Sequence, residues 1–204
     1  MKHLVTLLIS LILIASSCAQ SQSTQVGGSC EGCEAVNDYG KKTLQSIDTI
    51  HGFKTETDKI KINGTVYHKD GKTPAKDVVL YVYHTDQNGR YPTNTSSKGW
   101  EKRHGYLRTW LKTDEKGCYT FYTTRPASYP NSTVPQHIHI TVKEPNVSAY
   151  YVEDFYFSDD PNITPNIVKR AKPRGGSGVI TLKGNAKIKT ATRDIILGLN
   201  IPNY

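Results

Sequence analysis

The chain has 204 residues, 36% of them hydrophobic, and a formal net charge of +8. This length is enough for one domain with its own core, and no internal repeat marks a second domain. The positive charge comes without an arginine run or a helical nucleic-acid motif. We therefore interpret it as a general electrostatic field that attracts anions, and we predict no nucleic-acid partner.

The N-terminal segment has the layout of an export signal. Lys2 and His3 precede the apolar run "LVTLLISLILIA", which is shorter than a membrane span of ~20 residues and is followed by small residues. We predict a signal peptide at residues 1–17. Cys18, directly after "IASS", resembles the cysteine of a bacterial lipobox, so residues 18–33 are predicted to form a lipid anchor and flexible tether. The alternative is an ordinary cleaved signal with a bystander cysteine. Both predict an exported protein, and the lipobox predicts one that is lipid-anchored to the membrane in the bacterial cell envelope.

Three further cysteines follow Cys18. "SCEGC" places Cys30 and Cys33 in a single CxxC, which is half of a tetrahedral zinc site. In an oxidising compartment a disulfide between these two is the simpler prediction. Cys118 is the odd cysteine and could compete for a partner.

From about residue 60 the pattern is that of short strands and tight turns, and a short helix is possible only within residues 34–46. Gly- and Asp-rich turns separate the strands, and no segment has a convincing period near 3.6. We predict a single domain at residues 34–204 with an all-β fold, an antiparallel β-sandwich with little helix. The predicted strands, in chain order, lie in "KIKINGTVYHK", "DVVLYVYHT", "YLRTWLK", "GCYTFYTT", "QHIHITVKE", "YYVEDFYF", "GVITLKG" and "TRDIILGL".

The stretch "VPQHIHITV" carries a histidine pair within a predicted strand. His137 and His139 are two residues apart, so they share one face, opposite Ile138, Ile140 and Val142. Two imidazoles at this spacing can converge on one metal ion. The alternative is a polar strand face that holds two histidines by accident.

Two of the 13 tyrosines lie in predicted loops rather than strands. Tyr91 closes the turn "DQNGRYP" and Tyr129 lies in "RPASYPNS", and both precede a proline, which stiffens the backbone after each tyrosine. Phenolate is a hard, anionic oxygen donor, so two phenolates with two imidazoles suit a trivalent metal such as Fe(III). Strand residues with no predicted role are Tyr81, Tyr83, Tyr119 and Tyr122.

These motifs, in this order, resemble those of the intradiol ring-cleavage dioxygenases, the family of protocatechuate 3,4-dioxygenase and catechol 1,2-dioxygenase. The similar segments are "GTVYHKDGKTPAKDVVLYVYHTDQNGRY", "TDEKGCYTFYTTRPASYP", "HIHI", "VEDFYFSDDP" and "RDIILG". The resemblance implies an Fe(III) cofactor held by Tyr91, Tyr129, His137 and His139. It also implies that a catechol-type diol and O2 react to give a muconate-type diacid by cleavage between the hydroxylated carbons.

The resemblance further implies catalytic roles and shows one departure. By position, Tyr129 leaves the metal and accepts a substrate proton. The family commonly has an arginine three residues before the first histidine, where this chain has Val134. Gln136 is therefore predicted to donate a catalytic hydrogen bond, unless an arginine such as Arg103 or Arg108 substitutes.

Substrate contacts are predicted in the basic loop of residues 96–108. Trp100 is expected to form an aromatic wall, while Arg103 and Arg108 would favour a catechol that bears a carboxylate. The alternative is a solvated basic loop.

Two other functions stay open. The strand pattern is also typical of non-catalytic transthyretin-like or carboxypeptidase-regulatory sandwiches of the cell envelope. Because of Val134, a pseudoenzyme that holds the metal without turnover is the other alternative. The sequence makes no prediction of oligomeric state.

Overall fold

The structure is a computed structural model and describes residues 25–184 and 187–204, which form two facing sheets. In the first sheet, β2 (Lys59–Tyr67) is central and pairs with β5 (Cys118–Thr124), β10 (Ile188–Thr192) and β11 (Ile195–Ile196), while β1 (Ile47–Thr49) pairs with β5. In the second, β6 (His137–Lys143) is central and pairs with β3 (Val79–Tyr83), β7 (Tyr150–Tyr151) and β8 (Phe155–Phe157). The edges of the second sheet are β4 (Arg108–Lys112), beside β3, and β9 (Val179–Ile180), beside β8.

The space between the sheets is filled by apolar side chains that alternate along each strand. In β2, Ile60, Ile62 and Val66 are buried. Phe121 of β5 and Ile140 of β6 join the same cluster. Period-two burial of this kind is what the sequence pattern predicts for a strand with one buried face. The predicted all-β sandwich is confirmed.

The ladders between the long strands are antiparallel, and four pairings are parallel. The pairs β2–β5, β3–β4, β3–β6, β6–β7 and β6–β8 run antiparallel. The parallel pairs are β1–β5, β10–β2, β11–β2 and β8–β9. Neither β1 nor β10 is predicted from the sequence. They are short, they pair with residues distant in the chain, and Ile47 of β1 is 61% exposed, so no apolar alternation marks them.

Helices in the described residues are short. A 3₁₀ helix covers Cys33–Asn37 and overlaps residues 34–46, where a short helix was possible, and α1 (Glu101–His104) and α2 (Pro165–Val168) lie in loops. None of them has the length and apolar content needed to cross a membrane.

The described part of the predicted tether packs on the sandwich. Val26 is 3% exposed, and its amide donates a hydrogen bond of 2.8 Å to Ser148 Oγ. The amide of Gly27 donates one of 2.8 Å to the carbonyl of Pro202. Val26 and Gly27, within the predicted tether, thus contact the sandwich, and the assignment of residues 18–33 to a lipid anchor and flexible tether stays a prediction. The predicted signal at residues 1–17 and Cys18 lie outside the described residues.

Candidate metal centre

Four side-chain donor atoms converge at one end of β6. Tyr91 Oη lies 2.6 Å from Tyr129 Oη and 2.8 Å from His139 Nε2. Tyr129 Oη lies 3.2 Å from Nε2 of both His137 and His139, and these two nitrogens are 3.1 Å apart. Five of the six separations among these atoms are thus 2.6–3.2 Å. Each of the two triangles they form, with sides of ~3 Å, has its centre about 1.7 Å from each corner, within the ~2.0–2.1 Å of metal–nitrogen bonds. The spacing of the four atoms therefore fits one metal ion.

The strand places the two histidines. His137 and His139 occupy alternate positions of β6, where His139 is paired with Tyr83 of β3 and His137 with Tyr156 of β8. Ile138 and Ile140 point into the core. The alternation that buries the two isoleucines thus turns both imidazoles to the same opposite face.

The two tyrosines lie on loops that are hydrogen-bonded to each other. Asp86 begins the turn before Tyr91, and its carboxylate accepts hydrogen bonds from the amides of Asn88 and Arg90. The amide of Ala127, two residues before Tyr129, donates to the carbonyl of Asp86 at 3.1 Å. This connection sets the position of one phenol relative to the other.

The hydrogen bonds of the outer imidazole nitrogens fix both tautomers. His137 Nδ1 lies 2.7 Å from the carbonyl oxygen of Pro135, which can only accept, so this nitrogen carries the proton. His139 Nδ1 lies 3.1 Å from the carboxylate of Asp154 and carries its proton for the same reason. Both Nε2 atoms then present lone pairs to the phenol oxygens. The four donor atoms share only two phenol protons, so lone pairs remain that a cation could bind.

Burial governs the pKa values of these groups. Burial raises the pKa of Tyr91, and the hydrogen bond with Tyr129 raises it further. Burial also raises the pKa of Tyr129, and burial followed by the nearby His139 lowers the pKa of His137. The imidazole of His137 is therefore neutral and ready to ligate, whereas a metal must displace the phenol protons to bind.

Asp154 supports the site without being one of the four donors. His137, His139 and Asp154 lie close enough for all three to approach one ion, but the carboxylate faces Nδ1 of His139, on the opposite side of the ring from Nε2. Burial pushes the pKa of Asp154 up, but the electrostatic attraction and hydrogen bond of the His139 ring, with Arg193 nearby, outweigh it and leave the pKa below its usual range. The carboxylate therefore stays ionised and orients His139. The sequence analysis missed Asp154, whose only signal is an acid in "VEDFYF".

A stack of aromatic rings supports the outer side of His139. The Tyr83 ring stacks on His139 with centroids 4.6 Å apart, and His104 stacks on Tyr83 at 4.0 Å. Trp100 lies on the far side of His104, at 5.1 Å. Tyr83, which carried no predicted role, is thus in direct contact with a candidate ligand, and Trp100 is three rings away from the donors.

Comparison with known proteins places this chain in a family. The family model described as "Dioxygenase" matches residues 37–194, most of the chain. The chain belongs to the intradiol ring-cleavage dioxygenase family. Similar solved structures include the dioxygenase domain of a dioxygenase carbohydrate-binding protein fusion from Streptomyces sp. SirexAA-E, at 18% identity and TM-score 0.56 over 76% of this chain and 91% of that one.

Two other similar structures come from enzymes named for their reactions. Hydroxyquinol 1,2-dioxygenase from Pseudomonas putida DLL-E4 is 19% identical, with a TM-score of 0.54 over 76% of this chain and 62% of that one. An intradiol ring-cleavage dioxygenase from Tetranychus urticae is 16% identical, with a TM-score of 0.54 over 76% of this chain and 87% of that one. At these identities the likeness shows the shared fold. This chain spans less than two thirds of the hydroxyquinol enzyme's length.

In this intradiol dioxygenase family member, Gln136 is held by an arginine that the sequence analysis did not identify. Arg125 Nε donates to Gln136 Oε1 at 2.7 Å, and both terminal nitrogens of Arg125 donate to Asp159 at 2.9 Å. The backbone amide of Gln136 donates to Asp160 Oδ2 at 2.8 Å, whereas its side-chain Nε2 makes no hydrogen bond to any described residue. Val134, at the position of the expected arginine, is 41% exposed.

The structure places Arg103 and Arg108 in ion pairs with acids. Arg103 pairs with Glu31 and lies over the Trp100 ring, with its guanidinium carbon 5.2 Å from the ring centroid. Arg108 is 10% exposed and pairs with Glu101 at 3.0 Å and Asp38 at 3.6 Å. Neither arginine presents a free cation to the metal centre.

Cys30 and Cys33 form a disulfide in the structure, and Cys118 is a free thiol. The disulfide closes the turn that begins the 3₁₀ helix. Residues 29–33, called here the disulfide segment, lie beside the ring stack: a Cβ atom added at Gly32 would be 2.8 Å from two atoms of the His104 ring. The segment thus belongs to the surroundings of the metal centre.

Proposed function

We propose that this chain binds Fe(III) through Tyr91, Tyr129, His137 and His139 and cleaves catechol-type diols between their two hydroxylated carbons. The ring carbon–carbon bond breaks, both atoms of O2 enter the product, and a muconate-type diacid results. The observation that supports the proposal is the convergence of two phenols with two imidazole lone pairs whose tautomers are fixed by Pro135 and Asp154.

The donor set fits a hard, trivalent cation. Two phenolates and two neutral imidazoles supply two negative charges in a part-buried site, and no carboxylate competes within the four-donor cluster. Bound there, Fe(III) would supply a Lewis acid that binds both oxygens of an ortho-diol and prepares its ring for O2.

The chain's own groups have separate roles in this proposal. Tyr129 is the proton acceptor for one substrate hydroxyl, a role that the family resemblance implies and that the contact of its oxygen with the other three donor atoms supports. The free amide N–H of Gln136, whose oxygen is held by Arg125, donates to negative charge that develops on the ring oxygen. Asp154 holds the proton of His139 on Nδ1.

Iron loading and product analysis test the proposal together. Tyrosinate bound to ferric iron produces a red-brown charge-transfer band. The purified chain should therefore bind one Fe(III) and become red-brown. Catechol added under argon should shift the band, and O2 should then yield a muconate detected by mass spectrometry. A chain that stays colourless with ferric iron would contradict the proposal.

One observation favours a second candidate, a metal-holding pseudoenzyme. Val134 provides no cation, and Arg125 is engaged by Asp159. A coloured protein whose band shifts with catechols, but which forms no product from a broad panel of diols, would establish this alternative.

We also propose export, with lipid on Cys18. The layout of residues 1–18 supports it, and so does the disulfide of Cys30 and Cys33, a bond typical of oxidising compartments. Mass spectrometry of the mature N-terminus in a bacterial host should find a lipidated Cys18, and Cys18→Ala should release the protein from the membrane fraction. An unmodified Cys18 in the mature protein would contradict the proposal.

A further inference from the structure

We propose that the disulfide between Cys30 and Cys33 is a thiol–disulfide exchange site for an external dithiol, and that its reduction weakens metal binding at the four donors. The second part of the inference rests on the proposed function, because it concerns the affinity of the metal centre for its cation. The first part does not, because it concerns the two sulfur atoms alone.

The disulfide is open to a reactant on one side. Both cysteines line a cavity of about 390 Å3, together with Lys143 and Ser148. This volume lies within the ~300–1,000 Å3 of small-molecule pockets, so a dithiol has room to approach. Cys30 is partly exposed whereas Cys33 is buried, so the sulfur of Cys30 is the one that an incoming thiolate reaches. The CxxC spacing is also that of disulfide oxidoreductases.

The exchange is a two-electron, two-proton reaction. A thiolate of the dithiol attacks Sγ of Cys30, a mixed disulfide forms, and the bond to Cys33 breaks with release of the Cys33 thiolate. The second thiolate of the reagent then displaces Cys30 and closes the reagent's own disulfide. The two cysteine thiolates take up the protons that the reagent lost. The protein disulfide is thus reduced and the dithiol is oxidised.

Reduction would release the disulfide segment and leave its flanks in place. The amide of Gly27 on one side and the carbonyl of Ala35 on the other are hydrogen-bonded to the sandwich. Among the residues that the structure describes, the exposed pair of Glu31 with Arg103 is the hydrogen bond that joins residues 29–32 to the sandwich. Because an exposed ion pair contributes little to stability, the disulfide is the main restraint on this segment.

The disulfide segment covers the outer side of a candidate ligand. Residues 29–32 form one wall of a cavity of about 260 Å3, and the walls opposite include His139 and Asp154. This cavity lies on the Nδ1 side of His139, where the carboxylate of Asp154 is hydrogen-bonded to the ring. Movement of the segment would admit water to that hydrogen bond, and the surroundings of a metal ligand control both solvent access and ligand orientation.

Gly32 connects the segment to His139 by a second route. A Cβ atom added at Gly32 would lie 2.8 Å from two atoms of the His104 ring, so the backbone there packs against this ring. His104 stacks on Tyr83, and Tyr83 stacks on His139. Both routes act on the surroundings of one ligand. We therefore expect reduction to lower the metal affinity about tenfold, the low end of the 10–100-fold range for loss of an outer partner.

The coupling must work in both directions. If reduction lowers the metal affinity tenfold, metal binding makes the disulfide tenfold harder to reduce. For this two-electron couple, a tenfold change corresponds to a reduction potential that is lower by ~30 mV. The redox equilibrium of the two cysteines therefore reports on the metal centre without any measurement of turnover.

The test uses gallium(III), a hard trivalent ion that thiols do not reduce, in place of Fe(III). The metal-free and gallium-loaded full chain is equilibrated in dithiothreitol buffers of graded thiol-to-disulfide ratio. Alkylation and peptide mass spectrometry then give the reduced fraction of Cys30 and Cys33. The disulfide should be reduced while near-ultraviolet circular dichroism still shows a folded chain, and gallium should raise the ratio needed for half reduction about tenfold.

A second measurement compares gallium affinity in the two redox states by competition with nitrilotriacetate. The reduced chain should bind gallium about tenfold more weakly than the oxidised chain, and reoxidation should restore the affinity. The double variant Cys30→Ser, Cys33→Ser should bind as weakly as the reduced chain, with or without dithiol. Cys118→Ser is the matched control, because Cys118 is a free thiol in β5 and its loss should leave both redox states as in the wild type.

The outcomes separate this inference from the proposed function. A disulfide that stays oxidised in excess dithiothreitol until the chain unfolds would overturn the exchange site. Equal affinity of the oxidised and reduced chains, or a loss that reoxidation does not reverse, would overturn the coupling and leave the dioxygenase proposal standing. If neither form binds gallium or Fe(III), the proposed function and the coupling both fail, and the alkylation result alone decides the exchange site.

Discussion

Asp154 and His139 are joined by a hydrogen bond of 3.1 Å that keeps the proton of His139 on Nδ1, away from the metal centre. Removal of such a partner typically costs 10–100-fold in metal affinity. We expect Asp154→Ala to weaken Fe(III) binding by about this factor, and Asp154→Asn, whose amide oxygen can still accept, to retain part of it. Competition titration with a chelator measures both. Asp77→Asn, an exposed acid paired with Lys112, is the control, and equal affinity of Asp154→Ala and wild type would contradict the role.

Tyr129 should be needed for both the colour and the reaction. Tyr129→Phe removes one of the four donor atoms and the proton acceptor, so we expect weaker Fe(III) binding, a changed visible band and a fall in kcat of about 10²-fold or more. Tyr122→Phe is the matched control, because Tyr122 lies in β5 and contacts Phe53 rather than the metal centre. Absorption spectra and oxygen uptake of the two variants, side by side, check the prediction.

Metal binding should release protons. The pKa values of Tyr91 and Tyr129 are raised by burial, so both phenols are protonated in the metal-free protein and must lose their protons to ligate. The affinity should therefore increase with pH, with about two protons released per Fe(III) and about one in Tyr129→Phe. Calorimetry in buffers of different ionisation enthalpy counts them. Release of the same number by wild type and Tyr129→Phe would show that the Tyr129 phenol does not ligate.

His84 should make the fold sensitive to acid. Its Nδ1 donates to the Thr85 carbonyl at 2.7 Å, its Nε2 lies 2.6 Å from Thr123 Oγ1, and burial lowers its pKa to about 4. The pKa of His84 in the unfolded chain is ~6.5, so neutral, buried His84 makes its full contribution to the free energy of unfolding above that pH. This contribution, up to ~3 kcal/mol, is lost as the pH falls toward 4. Urea unfolding between pH 7 and pH 4 measures it. The control His68→Gln, an exposed histidine, should keep the pH dependence of wild type, while His84→Asn should reduce it.

The sequence predicts those parts of the fold that depend on local pattern. Alternation of apolar and polar residues identifies β2 and β6, although only β2 has a single buried face, and in β6 this alternation brings His137 and His139 together. The edge strands β1 and β10 are not predicted, because they form by pairing with β5 and β2, which are distant in the chain, and their own residues carry no strand pattern. The candidate donors were found through ordered motifs, and the structure brings all four together.

The residues around the donors were harder to predict for a related reason. Asp154, Arg125 and Glu31 act through contacts with residues distant in the chain, and nothing in their local sequence distinguishes them from surface charges. Arg103 and Arg108 illustrate the opposite error. Their position between the two tyrosines indicated free cations, but the sequence could not show that Glu31 and Glu101 neutralise them.

The turn before Tyr91 contains a glycine whose missing side chain matters for the metal centre. Gly89 has a φ of +70°, and a Cβ atom there would lie 1.9 Å from the carbonyl oxygen of Ser128, the residue before Tyr129. Even a single methyl group would push the two loops apart and pull one phenol away from the other. The proposed iron site is thus sensitive to substitution at a position that has no side chain and provides neither a ligand nor a charge.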